Sequence, residues 1–133
     1  MPELPEVETV RAGLENLVIP AVVESVDVVD ARGLRPSGEP EDAAFFETVL
    51  TGRQLTAVSR RGKYLWFVLD DDTALLAHLG MSGHFRVVDR HAPQHRHTRI
   101  VIALDEGRDL RFLDQRTFGG LTPVSYTHLT LPT

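Results

Sequence analysis

The hydrophobic positions change their period along the chain, and each period predicts an element. Val7, Val10, Leu14 and Leu17 recur at steps of three and four residues, the spacing of one buried stripe on an α-helix. The stripe predicts a helix over residues 5–17. Pro5 suits its first turn, Glu6 and Glu8 lie beside the positive helix end, and Pro20 follows the last turn. From Val22 to Val29 the period drops to two, which predicts a strand, and Gly33 to Pro40 reads as a loop. Glu41 to Leu50 predicts a short helix with Phe45, Phe46, Val49 and Leu50 facing inward. Strands are then predicted over 53–60, 63–69, 73–78, 83–88, 98–104 and 109–113, with turns at Asp70-Asp71-Asp72 and Asp105-Glu106-Gly107. Short strands between turns, without crossover helices, predict a mainly β fold: a two-sheet antiparallel β-sandwich with an amino-terminal α-helix. No internal repeat is visible.

Composition narrows the function classes. At 133 residues the chain fits one domain. It has no cysteine, so these residues can form neither a disulfide nor a thiolate zinc site. The start is acidic where a leader would be basic and then apolar, and no apolar run nears the ~20 residues of a membrane helix, so the sequence predicts a soluble protein. The net charge of −5 argues against nucleic acid as a partner, but the charge is unevenly spread. Residues 1–51 hold 3 Lys/Arg and 11 Asp/Glu, whereas residues 52–118 hold 11 and 8 and every histidine except His128. Residues 124–133 carry no charged side chain and do not continue the preceding pattern, so the reading ends the folded unit near residue 122 and treats 123–133 as a truncation or a stray tail.

Several segments carry candidate chemistry, each beside a plainer reading. Removal of Met1 would expose Pro2 as a secondary amine. An α-amino group titrates near about 8, well below the about 10.4 of lysine, so it can attack an electrophilic sugar carbon and form an iminium. Taken alone, a Met-Pro start more often just begins a fold. Glu3 beside that amine suits a general acid, and Glu3 and Glu6 equally suit a helix amino terminus. Lys63, in Arg60-Arg61-Gly62-Lys63, can meet a phosphate or donate a proton, or can simply belong to an exposed basic hairpin. Met81, between the glycines of His78-Leu79-Gly80-Met81-Ser82-Gly83, is either an apolar wedge for a base stack or a core residue. His95-Arg96-His97 can contact phosphates; with no carboxylate or cysteine to complete a set, metal binding is disfavoured. In Asp114-Gln115-Arg116-Thr117-Phe118-Gly119-Gly120, Arg116 can pair with a base or phosphate and Phe118 can stack, or the two can form a loop arginine over a buried aromatic.

Taken together, PELPEVE at 2–8, RRGKYL at 60–65, HLGMSG at 78–83, the His95 segment and DQRTFGG at 114–120 closely resemble the bacterial formamidopyrimidine-DNA glycosylases, over residues 1–122. The resemblance implies a bifunctional repair enzyme for oxidised purines such as 8-oxoguanine. Pro2 matches the nucleophile that attacks C1′, Glu3 the catalytic acid, Lys63 the proton donor in β-elimination and Glu6 a supporting acidic position. His95 and Arg116 match DNA contacts, and Met81, Arg116 and Phe118 match the residues that fill the gap left by a flipped nucleotide. The resemblance further implies damaged double-stranded DNA as partner, a monomer in the bacterial cytoplasm, and one zinc ion in a carboxy-terminal finger of the full-length protein. The helical domain with its helix-two-turn-helix element and the zinc finger have no counterpart in these residues, which therefore carry no metal site. The 133 residues alone are accordingly expected to be impaired. Two alternatives stay open: an endonuclease VIII-like glycosylase for oxidised pyrimidines, whose branch typically opens Pro-Glu-Gly-Pro where this chain has Leu4, and a non-catalytic DNA-binding domain.

Overall fold

A computed structural model describes residues 4–34, 42–61, 64–80, 82–116 and 119–125. Helix α1 (Leu4–Val18) presents Val7, Leu14 and Val18 to the core, with Val10 half-covered. The buried stripe thus runs through Val18, and Leu17, expected inside, is 52% exposed. The helix ends where Pro20 disfavours helical geometry in the residue before it. Helix α2 (Asp42–Leu50) buries Phe46 and Leu50, one helical turn apart, against β1 (Ala21–Val28). Its neighbour Phe45 points to solvent at 64% exposure, contrary to the inward placement expected from hydrophobicity alone, and Val49 is only half-buried.

The remaining strands are β2 (Gln54–Arg61), β3 (Tyr64–Leu69), β4 (Thr73–His78), β5 (Gly83–Asp89), β6 (Thr98–Leu104), β7 (Arg108–Asp114) and β8 (Gly120–Ser125). They correct the expected two-sheet sandwich. All eight strands belong to one antiparallel sheet in the order β5-β7-β6-β1-β2-β3-β4-β8. The physical reason lies in β1. Its first residues pair with β2 (Ala21↔Leu55, Val22↔Gln54), and the rest pair with β6 (Val23↔Leu104 through Val28↔Ile100). A register shift between Val23 and Ser25 moves the inward phase from Ala21 and Val23 to Val26, bending the strand without breaking the ladder. Alternation along each strand reveals which side faces the core but not whether one strand serves two partners. The sheet curls far enough for Phe67 on β3 to meet Phe85 on β5 edge-on, ring centroids 5.5 Å apart, although the two strands are far apart in sheet order. Phe112, Ile100, Ile102, Leu65 and Leu75 fill the space enclosed.

The two acidic turns form as expected. Asp72 closes the β3–β4 hairpin with φ 67°, and Glu106 and Gly107 adopt φ 65° and 73° between β6 and β7. Strand β8 pairs with β4 from His78↔Gly120 to Thr73↔Ser125 as an edge strand, where Pro123 is tolerated.

Candidate nucleic-acid interface

The sheet brings the five motif-bearing segments to one end. The β2–β3 hairpin turns beyond Arg61↔Tyr64, and the Tyr64 ring lies 5.8 Å from that of His78 at the end of β4. His78 pairs with Gly120, Gly83 with Asp114, and Thr98 with Leu113, so the β4–β5 turn, the β7–β8 loop and the approach to β6 adjoin. Helix α1 is tied to the same hairpin through Glu8. Arg60 Nε donates to Glu8 Oε1 at 2.7 Å and Arg11 to Glu8 Oε2 at 2.7 Å, while Arg11 also donates to the Val58 carbonyl. These bonds, from Arg11 foremost and then Arg60, lower the Glu8 carboxyl from 4.5 to about 2.

Asp114 organises the centre of this end. Its side chain is buried, and both oxygens accept. Oδ1 receives the Ser82 hydroxyl at 2.5 Å and shares the Arg116 N–H at 3.3 Å, and Oδ2 receives the Gly119 N–H at 2.8 Å. Ser82 Oγ in turn accepts from Arg116 N–H at 3.1 Å. The Asp114 main chain is held as well, its N–H donating to the His97 carbonyl and its carbonyl accepting from Arg99 Nε at 2.9 Å. Glycine is required where the loops touch: a Cβ at Gly119 would run into the His78 carbonyl, and one at Gly83 into the Leu79 carbonyl.

A cleft of about 320 Å³ opens beside this network, lined by Ser82, His84, His95, Arg96, His97 and Gln115. The His95 and His97 rings stand 5.1 Å apart. His95 Nδ1 accepts the His97 backbone N–H at 3.0 Å, which leaves a proton for Nε2 in the neutral ring. Burial, then the charges of Arg96, His95 and Arg99, lower the His97 pKa from 6.5. The loop leading to His95 is strapped down by buried Arg111, which pairs with Asp109 at 3.0 Å and donates to the carbonyls of Arg90, Ala92 and Pro93. Exposed imidazole and guanidinium donors on a backed loop can bind phosphate oxygens.

Among the expected site residues, His95 and Arg116 are exposed at this end, Arg116 on the loop that Asp114 holds. Pro2, Glu3, Lys63, Met81 and Phe118 lie outside the described residues. Glu6 falls within α1, and its side chain also lies outside them. The expectation of zinc, a zinc finger and metal binding does not hold for this chain. It has no cysteine, and among the described residues no group of three or more His, Cys, Asp or Glu side chains could hold a metal ion. Also among the described residues, no helix is long and apolar enough to cross a membrane. Sequence reasoning quoted Asp114 and Ser82 but gave neither a role. An Asp that opens a polar turn and can accept the N–H two residues on is the local side-chain-to-backbone signal for that role.

Comparison with known proteins agrees with this arrangement. Residues 1–121 match the family described as formamidopyrimidine-DNA glycosylase N-terminal domain. The chain is 54% identical over 125 residues to the formamidopyrimidine-DNA glycosylase of Nocardioides sp., covering 92% of this chain and 42% of that protein. It resembles the solved structure of Lactococcus lactis Fpg (MutM) with FAPY-dG-containing DNA, with a TM-score of 0.85 and 33% identity, over 94% of this chain and 45% of that one. A second structure, of the Lactococcus lactis protein with DNA containing an abasic site, gives a TM-score of 0.86 at 32% identity, over 95% and 45% of the two chains. The chain thus spans less than half the length of these relatives.

Proposed function

Because the chain belongs to the formamidopyrimidine-DNA glycosylase N-terminal domain family, we propose that it is the catalytic part, over residues 2–122, of a bifunctional DNA repair enzyme. Its substrate is damaged duplex DNA, from which it removes oxidised purines, and it then cleaves the strand at the resulting abasic site. The observation that carries this reading is the match over residues 1–121, within which the DNA-contacting candidates His95 and Arg116 lie on adjoining loops at one end of the sheet.

The chemistry follows from the residue types. A base inside a duplex shields its anomeric carbon, so the nucleotide is extruded first. The Pro2 amine, freed by loss of Met1, attacks C1′ as the base departs with a proton from Glu3. The nitrogen then loses its proton and its lone pair opens the C1′–O4′ bond, with O4′ taking up a proton. The resulting iminium acidifies the neighbouring C2′–H, and loss of that proton to a base expels the phosphate from C3′, with Lys63 as proton donor at the lesion strand. Met81, Arg116 and Phe118 occupy the space left in the helix, and His95 holds a phosphate. Glu6 supports the amine from the first turn of α1. The protein works as a monomer in the bacterial cytoplasm, on DNA.

Leu4 after Pro2-Glu3, where the pyrimidine-directed branch typically has glycine, favours purine lesions over oxidised pyrimidines. Side-by-side excision from 8-oxoguanine:C and thymine glycol duplexes checks this. Faster release of 8-oxoguanine is the predicted result, and a clear preference for thymine glycol reverses the assignment. Retention of Met1 in the purified protein blocks the amine and leaves a DNA-binding domain without catalysis.

A further inference from the structure

Asp114 stands apart from the residues given a role above, because one buried carboxylate joins two loops. Its oxygens accept from Ser82 Oγ, Arg116 N–H and Gly119 N–H, and Ser82 belongs to the β4–β5 turn whereas Arg116 and Gly119 belong to the β7–β8 loop. The Arg116 N–H is shared between Asp114 and Ser82, so the three groups close a ring of hydrogen bonds across the gap between the loops. In sequence Met81 adjoins Ser82, and Phe118 lies between Arg116 and Gly119. We propose that Asp114 is a positioning residue: with Ser82 as its relay, it fixes the β4–β5 turn and the β7–β8 loop in one register, so that both enter the DNA as a single unit. The role rests on the DNA-facing reading of this end of the molecule.

Both carboxylate oxygens act as acceptors, one towards each loop. Asparagine has nearly the same shape but one acceptor oxygen: in one orientation its NH2 meets the Gly119 N–H, and in the other it meets the Arg116 N–H, donor against donor, and turns the Ser82 hydroxyl from donor to acceptor. Asp114→Asn therefore keeps the volume and weakens the junction. Ser82→Ala removes the relay and leaves the Gly119 bond intact. A buried polar group left unpaired generally reduces an equilibrium by about tenfold or more.

The test uses the full chain and a duplex carrying a stable abasic-site analogue with 2-aminopurine opposite it, whose fluorescence rises when the base is unstacked. Affinity is read by anisotropy and insertion by the 2-aminopurine signal at saturation. Relative to wild type, Asp114→Asn and Ser82→Ala each bind about tenfold more weakly, and at saturation their 2-aminopurine rise is reduced. The double variant is no worse than Asp114→Asn, because the two act through one junction. In hydrogen exchange, the Arg116 and Gly119 amides of Asp114→Asn lose protection while those of β3 and β4 keep it. Wild-type affinity with a full 2-aminopurine rise in the variants overturns the role, as do additive losses. If Asp114→Asn fails to fold, Ser82→Ala decides alone, by loss or retention of the signal. A wild-type protein that does not distinguish the abasic duplex from an intact one overturns the DNA reading itself, and the positioning role with it.

Discussion

Glu8 shows how much one side chain contributes to holding α1 against β2. It accepts from Arg11 on its own helix and from Arg60 on β2, and these bonds hold its carboxyl near about 2 rather than 4.5. The folded value is depressed, so the bonds stabilise the fold fully above pH 4.5 and lose that contribution as pH falls towards about 2. Glu8→Gln is thus predicted to melt below wild type at neutral pH, with the gap closing across that window. Thermal melts at a series of pH values check it, and a gap that does not change with pH counts against the assignment. In the sequence Glu8 looked like a helix-end carboxylate, because the pattern cannot reveal that Arg60, 52 residues away, shares it.

At the scale of elements, the positions of β1 to β7 and both acidic turns were legible, since period-two alternation and turn residues are local signals; β8 was not, because Gly120 to Ser125 carry a proline and no clear alternation. The exceptions have local physical causes. Phe45 and Leu17 are hydrophobic but sit beside the buried stripe of their helices, and hydrophobicity without phase misplaces them. The joining of the strands into one sheet depends on the shifted register in β1, which no alternation encodes. The loop that carries His95 depends on Arg111, whose side chain is only 7% exposed and reaches Asp109 and three backbone carbonyls. Arg111→Leu leaves the Asp109 carboxylate buried with its closest cation gone, a loss of about 3–5 kcal/mol. Replacing both residues by leucine recovers much of that loss, because no uncompensated charge remains. Urea unfolding of the two variants measures the difference. Equal instability in the single and double variants would show that the pair contributes packing rather than charge compensation.

At the scale of the whole molecule, the family was legible because five motifs occur in a fixed order. Their convergence at one end is a property of the curled sheet, and it makes that order chemically meaningful. Net charge was a poor guide, since the acidic first third obscures the cationic loops around the cleft. Zinc came with the family resemblance, which places it in a carboxy-terminal finger of the full-length protein, and this chain has no cysteine to bind it. The central claim is covalent catalysis by the Pro2 amine, and the most direct measurement is trapping. The full-length protein with Met1 removed is mixed in excess with an abasic-site duplex at low salt, and borohydride is added to reduce any iminium to a stable amine. Peptide mapping is predicted to place the DNA adduct on Pro2, with no adduct from protein that retains Met1. Absence of an adduct, or its appearance on Lys63 instead, would contradict the account.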